Sequence, residues 1–254
     1  MGISVTGLSI TPVKSTRLHE VDKIELGRAG VRDNRRFYIV DGRRHLINGK
    51  RLGELNAVVA EYTDPRLKLT FPDGTTVDDE VRLGDEVETK FFSVSDTGRL
   101  LDGPWSRALS DYAGRPLEIV AARTSAIDRG SLAVASLISR ASLARLAQEN
   151  GDHDIDWRRF RMLIEIDGVA AHEEDTWLGR ATRIGGAVVM WGGNVGRCLT
   201  TSRDPDTGEV DVPTLDMLRS YRGEIETTEP LPFGIYGGVV EEGEVQVGDT
   251  VELL

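Results

Sequence analysis

The stretch "GGNVGRCLTTSRDPDTGE", residues 192–209, contains Cys198, the only cysteine of the 254-residue chain. The glycines that precede it let another group approach the backbone closely. The adjacent Arg197 favours the thiolate, the form that acts as a nucleophile or a metal ligand. A buried, inert thiol is the alternative interpretation of a lone cysteine. None of the four histidines lies in a protease-like sequence context, so hydrolysis by a cysteine–histidine pair is disfavoured.

The composition narrows the classes of partner. The chain has 31 basic and 42 acidic side chains, which gives a net charge of −11. An acidic surface repels phosphate backbones, so nucleic acid is not expected as a partner. No apolar stretch is long enough to span a membrane, and the N-terminus lacks the features of a signal peptide. A single cysteine excludes an internal disulfide. We therefore predict a cytoplasmic protein with neither a nucleic-acid nor a membrane partner.

The positive charges are clustered along the chain. The clusters are "RDNRRF" at 32–37, "GRRHLINGKR" at 42–51 and "WRRFR" at 157–161. Clustered arginines in an acidic protein indicate a local anion site. Solvated loops with surface ion pairs are the alternative.

Short strands dominate the hydropathy pattern of the first half. The apolar strand that begins at Ile3 ends at "TPVK", because Pro12 cannot extend a ladder. Turn signals follow two further strands, Asp41-Gly42 after "FYIV" and "PDGT" after residues 67–71. "ETKFFSV" (88–94) and "LEIV" (117–120) add two more strands. This spacing favours a β-barrel or a sandwich.

Three segments have helical periodicity and helix-ending signals. The first, 104–114, starts with proline and ends with Gly114, and its apolar face includes Trp105 and Leu109. The second follows a predicted cap at Ser139. The third, 213–223, places Leu215, Leu218 and Tyr221 on one side, with Gly223 after it.

Three further segments carry candidate chemistry. Lys14 and Ser15 directly follow a strand and a proline, so both could present donors to a phosphate. Arg161 stands just before the apolar strand 162–166 and could point into a cavity, or else pair with an acidic neighbour on the surface. The three consecutive carboxylates of "AAHEEDTW" (170–177) favour a solvated turn, because they cannot all face one ion on regular structure.

Taken in order, these segments resemble the MOSC-domain proteins, the family of the molybdenum cofactor sulfurase C-terminal domain and of the mitochondrial amidoxime-reducing component. The resemblance spans nearly the whole chain. It implies a mainly β fold with a few helices (α+β), in which a MOSC β-barrel packs against an N-terminal β-barrel-like region. The implied division is 1–122 and 123–254. The segments that carry it are "ITPVKS" (10–15), "GVRDNRRFYIVD" (30–41), "LISRASLARL" (137–146), "WRRFRMLIEIDG" (157–168), "EEDTW" (173–177), "GRCLTTSRDPDTGE" (196–209), "LRSYR" (218–222) and "VQVGDTVELL" (245–254).

The same resemblance implies a cofactor and its ligands. In the family, a cysteine thiolate coordinates molybdenum that is also held by the dithiolene of a pterin, so Cys198 becomes the metal ligand and the catalytic residue. The other implied molybdenum-cofactor (molybdopterin) contacts are Lys14, Ser15 and Arg36 at the pterin phosphate and tail, Arg161 near the cofactor, and Ser139 and Arg197 along the same pocket.

The implied activity is the reduction of N-hydroxylated compounds such as hydroxylamines, amidoximes and N-oxides. The chain has neither a ferredoxin cluster motif nor a GxGxxG fingerprint, so a separate flavin reductase or iron–sulfur protein is the expected electron donor. One alternative is a non-catalytic carrier of the cofactor, or of persulfide sulfur on Cys198. Another is an empty barrel with a structural thiol.

Two positions depart from the family pattern. Leu163 stands where the family has an asparagine, and Gly196 stands where it often has serine or another small polar residue. Each replacement is expected to remove a side-chain contact worth ~1 kcal/mol. The cysteine and the phosphate-site residues remain, so the resemblance implies cofactor binding in an altered pocket, with a changed substrate range.

Overall fold

The structure, a computed structural model, describes residues 2–91, 94–123, 130–227 and 229–254. Its strands are β1 (Ser4–Ile10), β2 (His19–Glu20), β3 (Lys23–Gly27), β4 (Gly30–Val31), β5 (Phe37–Asp41), β6 (Leu46–Ile47), β7 (Val59–Thr63), β8 (Arg66–Thr70), β9 (Thr76–Glu80), β10 (Arg82–Phe91), β11 (Val94–Asp102), β12 (Leu117–Ala122), β13 (Ala135–Ser139), β14 (Ile164–Asp167), β15 (Ala181–Ile184), β16 (Ala187–Gly196), β17 (Pro232–Glu241), β18 (Gly243–Gln246) and β19 (Val251–Leu253). Its helices are α1 (Trp105–Ala113), α2 (Arg140–Gln148) and α3 (Thr214–Arg222), with 3₁₀ helices at Gly53–Ala57, Gly130–Ala133, Trp157–Phe160, Glu173–Trp177 and Leu199–Ser202.

The helices form where the periodicity predicts them. Helix α1 buries Trp105 and Leu109 and ends at Gly114, whose φ of 62° suits a residue without a Cβ. Helix α2 is capped as predicted, since the Ser139 hydroxyl accepts a hydrogen bond from the N–H of Ser142 at 3.1 Å. Within the described residues, no helix combines the length and the apolar composition needed to span a bilayer.

Helix α3 packs against the core with a face that also includes Met217. Met217 and Leu218 are buried, whereas Leu215 and Tyr221 are only half-buried. Leu218 is therefore confirmed as a core residue and Tyr221 packs against the same core, while Met217 belongs to the apolar face in addition to them. Arg222, the last residue of α3, is also buried and donates a hydrogen bond to the carbonyl of Pro232 at 2.7 Å.

The mainly β fold class is confirmed. The largest sheet has eight strands in the order β19-β15-β16-β17-β13-β14-β1-β2 and curls into a half-barrel. Strand β1 pairs antiparallel with β14, and β3 pairs antiparallel with β18. Strands from both parts of the predicted division thus share sheets. The division at 122/123 stays a prediction, and residues 124–129, just after it, lie outside the described part of the chain.

The remaining strands belong to the first half. They form a five-stranded sheet in the order β10-β11-β12-β5-β6 and a three-stranded sheet in the order β7-β8-β9. Both predicted turns are confirmed, since Asp41-Gly42 leads from β5 towards β6 and "PDGT" joins β8 to β9. The strand predicted over 88–94 is divided between β10 and β11, and its residues 92–93 are not described.

Two large hydrophobic cores meet close to the end of β1. Leu8 belongs to the core under the eight-stranded sheet, together with Trp177 and Trp191. Val13, only five residues later, belongs to the core built around Phe37. The chain thus crosses from one core to the other between β1 and Lys14. This crossing places Lys14 and the residues that follow it at the boundary between the two halves of the fold.

Candidate functional site

A pocket of about 580 Å³ opens at this boundary. It lies within the size range of ordinary ligand and cofactor sites. Its walls come from loops of the first half and from strand ends and 3₁₀ helices of the second half. Six basic side chains are part of the lining, in a chain whose net charge is −11. They are Lys14, Arg35, Lys50, Arg159, Arg161 and Arg197.

Cys198 lines the pocket and is exposed. Strand β16 ends at Gly196, and Cys198 then caps the 3₁₀ helix Leu199–Ser202, where its carbonyl accepts the N–H of Thr201 at 3.0 Å. Its Sγ lies 3.4 Å from the hydroxyl oxygen of Thr200. The interpretation of Cys198 as a buried, inert thiol is therefore wrong, and the thiol is presented to the pocket.

Three lining residues adopt a left-handed backbone. Ser15, Arg35 and Arg161 have φ values of 78°, 55° and 54°. This conformation is costly for residues with a Cβ and is concentrated at functional sites. It is held by mutual contacts, since Arg35 donates to the carbonyl of Arg161 at 3.0 Å and Arg161 donates to the carbonyl of Thr16 at 2.8 Å. The three segments therefore fix one another at one end of the pocket.

Lys14 is placed by the same framework. Its N–H donates to the carbonyl of Phe37 at 2.8 Å, next to a bridge between Val13 and Phe37. The hydroxyls of Thr11 and Thr16, 2.8 Å apart, both reach the carbonyl of Val13. The backbone that carries Lys14 and Ser15 is thus held by several hydrogen bonds, and both residues line the pocket.

Arg197 is nearly fully buried and serves mainly to position its neighbours. Its guanidinium donates to the carbonyls of Phe233 at 2.8 Å and of Phe160 at 2.9 Å, and also contacts the Met162 sulfur. It lies 5.1 Å from the centre of the Phe160 ring, a cation–π distance. Arg197 therefore joins β17 to the 3₁₀ helix Trp157–Phe160, just before Cys198.

Arg159 also reaches the lining, but its charge is balanced. Its two terminal nitrogens bind the Asp211 carboxylate, both at 2.6 Å. Such bidentate pairs are strong and geometrically specific. Arg159 therefore anchors the segment after the "DPDTG" turn rather than supplying charge to a ligand.

Two predicted cofactor residues lie elsewhere. Arg36 is absent from the described lining. Its guanidinium carbon lies 5.1 Å from the centre of the Tyr62 ring, and one guanidinium nitrogen lies 3.8 Å from a carboxylate oxygen of Asp33. Ser139 is also absent from the described lining, because its buried hydroxyl caps α2 and donates to Glu174 at 2.9 Å. The structure thus brings Arg35, and neither Arg36 nor Ser139, into the described lining, and the assignment of Arg36 and Ser139 to the cofactor stays a prediction.

The structure shows the surroundings of Leu163 and Gly196, the two positions that depart from the family pattern. Leu163 is buried in the core under the eight-stranded sheet and is absent from the described lining, where its neighbour Met162 contributes instead. Gly196 leaves no room for a side chain, since a Cβ there would lie 2.7 Å from a carboxylate oxygen of Glu229. Leu163 therefore gives no side chain to the described lining, and a side chain at residue 196 would require Glu229 to move.

Several lining residues were missed by the sequence analysis. The basic clusters pointed to Arg35 and Lys50 without choosing them from their neighbours. Glu229 and Tyr236 had no recognisable signal, because Tyr236 reaches the pocket through the pairing of β16 with β17 and Glu229 lies in the segment just before β17. The three carboxylates of the "EEDTW" turn have separate partners. Those partners are the N–H of Ala170 for Glu173, Ser139 and Ser142 for Glu174, and Asn194 and Arg222 for Asp175.

The "DPDTG" turn docks the cysteine segment onto the rest of the fold. Burial alone would raise the pKa of Asp204, but hydrogen bonds from the N–H groups of Thr207 and Asp206 outweigh it and lower the pKa. The Asp206 carbonyl accepts a 2.7 Å hydrogen bond from Arg17, and its carboxylate pairs with Arg158 at 3.0 Å. The turn thereby links the first half, the second half and the segment that follows Cys198.

No histidine is found among the described lining residues, so the pocket offers no cysteine–histidine pair. The ring of His172 lies instead 5.6 Å from that of Phe233 and 5.7 Å from that of Tyr221. Its two nitrogens are buried, and they have no hydrogen-bond partner among the described residues. Burial, and then the charges of Arg222 and Arg145, lower the pKa of His172 to about 4.

This histidine makes stability depend on pH. Its pKa in the folded chain lies below the ordinary value of 6.5, so its contribution is complete above pH 6.5 and is lost as the pH falls towards 4. We expect acidification from pH 7 to pH 5 to cost the wild type about 1 kcal/mol more than His172→Asn, after allowance for solvent screening. Asparagine tolerates the left-handed backbone of residue 172. Urea unfolding of both proteins at the two pH values measures the difference, and equal losses would contradict the assignment.

The fold and the site together define a class of protein, mainly β and in two parts, with a cation-rich pocket between the parts and one exposed thiol in its wall. The family comparison agrees with this description. A model of the MOSC N-terminal beta barrel domain matches residues 2–116, and a model of the MOSC domain matches residues 127–252. The chain therefore belongs to the MOSC family and carries both domains.

The chain is also similar to named relatives. It is 28% identical over 282 residues to mitochondrial amidoxime reducing component 2 of Bos taurus, and the aligned region covers 98% of this chain and 82% of that protein. It is 25% identical over 275 residues to mitochondrial amidoxime-reducing component 1 of Danio rerio, with coverage of 97% and 83%. A shorter match to component 2 of Homo sapiens is 41% identical over 99 residues and spans 36% of this chain and 29% of that protein. Among solved structures, the YUAD protein from Bacillus subtilis is similar with a TM-score of 0.46 and 13% identity, covering 100% of this chain and 96% of that one.

Proposed function

We propose that this protein is a molybdenum-cofactor-dependent reductase of N-hydroxylated compounds, such as amidoximes, hydroxylamines and N-oxides, that receives electrons from a separate partner. The observation that carries the proposal is an exposed thiol, Cys198, in the wall of a pocket that Lys14, Arg35 and Arg161 also line. The similarity over nearly the full chain to amidoxime reducing components supports the choice of substrate class.

The residues of the pocket fit such a cofactor. No group of three or more His, Cys, Asp or Glu side chains that could hold a metal ion occurs in the described part of the chain. A metal held here needs further ligands from a cofactor, and a soft thiolate such as Cys198 suits a metal that already has sulfur ligands. Basic side chains suit the phosphate of a pterin. When bound, the cofactor supplies two-electron redox chemistry.

Each residue would then have a defined task. Cys198 would bind the metal, while Lys14 and the interlocked Ser15, Arg35 and Arg161 would hold the anionic end of the cofactor. Their backbone is fixed before any ligand arrives, so little ordering remains to oppose binding. Arg197 would position other residues of the pocket and not bind the cofactor itself, because its guanidinium donates hydrogen bonds to the carbonyls of Phe160 and Phe233.

The electrons would come from another protein. A lone cysteine cannot hold an iron–sulfur cluster, and the sequence has no dinucleotide fingerprint. We propose a flavin reductase or an iron–sulfur protein as the donor.

A carrier function is the second candidate, and the exposure of the Cys198 thiol favours it. A persulfide on this thiol could be passed to an acceptor without turnover. Intact-protein mass spectrometry separates the two candidates. A mass increase of one sulfur atom, removed by a reductant and accompanied by no molybdenum, would favour the carrier.

Metal content tests the leading proposal. In a host that makes the cofactor, we expect about one molybdenum atom per chain, as one thiolate ligand implies. Lys14→Ala is expected to lower this loading about tenfold, because a charge-assisted hydrogen bond to the phosphate is lost. Lys23→Ala is the matched control, since Lys23 pairs with Glu244 on the surface and is not among the residues that line the pocket.

The outcome that would overturn the proposal is equally definite. It is a wild-type chain without molybdenum, isolated from cells whose other molybdoenzymes are loaded normally.

A further inference from the structure

Glu229 is the one carboxylate among the described residues that line the pocket. Its position is set by the backbone around it. The N–H of Arg197 donates to the carbonyl of Pro230 at 3.0 Å, and Gly196 is paired with Pro232 where β16 meets β17. The hydroxyl of Thr227 donates to the carbonyl of Glu229 at 2.6 Å. The segment that carries this carboxylate is thus fastened to the segment that carries Cys198.

The absence of a side chain at Gly196 allows the carboxylate of Glu229 to approach the backbone at residue 196. A Cβ at residue 196 would lie 2.7 Å from a carboxylate oxygen of Glu229 and 2.8 Å from its Cβ, closer than real contacts. Any side chain at residue 196 would therefore push Glu229 away. Two residues of extended chain span about 7 Å, so the negative charge lies within electrostatic reach of Cys198.

We propose that Glu229 determines substrate specificity, favouring N-hydroxylated compounds that carry a positive charge over those that carry a negative one. The inference rests on the proposed function for its reaction. An anionic cofactor held by Lys14, Arg35 and Arg161 would offset their charges. The carboxylate of Glu229 would then make the potential that a substrate meets beside Cys198 more negative, against the positive charges of Lys50 and Arg197 that also line the pocket.

The effect of the Glu229 charge on the thiol can be measured in the cofactor-free chain, because Cys198 is its only cysteine. The probes are three methanethiosulfonates: a neutral methyl, an anionic sulfonatoethyl and a cationic trimethylammonioethyl reagent. In Glu229→Gln we expect the rate with the anionic reagent to rise and the rate with the cationic reagent to fall, each about threefold or more. The neutral reagent corrects for any change in the reactivity of the thiol itself.

Glu226→Gln is the matched control, since Glu226 is exposed in the same loop, is not a lining residue and loses the same charge. It is expected to leave all three rates unchanged. The effect of Glu229→Gln should also shrink in high salt, as expected of a charge near the surface. Equal ratios of cationic to anionic rates in the wild type and Glu229→Gln would overturn the inference.

The second measurement uses the loaded protein and three benzamidoximes with a neutral, a carboxylate or a trimethylammonium substituent. We expect the wild type to have a higher kcat/KM for the cationic compound than for the anionic one, and Glu229→Gln to lose most of this preference. Reduction of all three without a charge preference would overturn the inference and leave the proposed function standing. Reduction of none would overturn the proposed function and the substrate preference together, whatever the labelling rates.

Discussion

Cys198→Ala is expected to contain no molybdenum and to have lost reductase activity, while the fold is unchanged. The thiol is exposed, so its removal creates no cavity and should alter the unfolding midpoint very little. Cys198→Ser should fail in the same way, because a hydroxyl is a hard ligand and replaces a soft thiolate poorly. The measurements are metal content, turnover of benzamidoxime with an artificial reductant, and thermal unfolding of all three proteins.

Thr200→Val is the control for a local disturbance of the same turn. It removes the hydroxyl 3.4 Å from the Cys198 sulfur but leaves the thiol in place. We expect it to bind molybdenum and to retain turnover. A Cys198→Ala protein with wild-type molybdenum content would show that the metal is held by other groups, and Cys198 would lose its role as a ligand.

Gly208→Ala is expected to be the most damaging conservative change in the cysteine segment. Gly208 has a φ of 80°, and a Cβ there would overlap the backbone carbonyl of Gly53. The substitution adds a backbone clash to the strain of a left-handed alanine, for a loss of about 3 kcal/mol or more in the free energy of unfolding. The position cannot relax freely, because Arg203 donates to the Gly208 carbonyl at 2.7 Å.

The variant Gly74→Ala separates the strain of a left-handed alanine from the cost of the backbone clash. Gly74 has a φ of 84° and nothing within 4 Å of the position that a Cβ would occupy. This variant should therefore lose only about 1 kcal/mol, the usual cost of a left-handed alanine. Urea unfolding of the wild type and both variants measures the difference. Equal losses at the two glycines would mean that the "DPDTG" turn is not tightly docked against Gly53.

Local sequence patterns correctly predicted the elements whose structure depends on nearby residues. The cap at Ser139, the left-handed end of α1 at Gly114 and the "PDGT" hairpin were confirmed, because each depends on hydrogen bonds or φ angles within a few residues. The family resemblance also assigned Ser139 to the cofactor, and that assignment stays a prediction, since Ser139 is not among the described lining residues. Local patterns show that a hydroxyl caps a helix, but they do not show which cavity lies beside that helix.

The choice between neighbouring arginines could not be made from the sequence. Arg35 and Arg36 are chemically identical and adjacent, yet Arg35 lines the pocket and Arg36 stacks on Tyr62. The left-handed backbone at Arg35 decides between them, and it is held in turn by contacts with Arg161, which is 126 residues away in the chain. Contacts between residues this far apart in the chain cannot be predicted from local sequence patterns.

The sequence by itself determined the mainly β class, the three helices, the presence of a single cysteine and the clustering of arginines in an acidic protein. These follow from periodicity, capping and charge, which act over short distances along the chain. Only the tertiary structure determined that strands from both halves share sheets, that Lys14, Arg35, Arg161 and Cys198 meet in one pocket, and that Gly196 makes room for Glu229. The physical reason is that β1 pairs with β14, and β16 with β17, so residues far apart in the chain become neighbours in space.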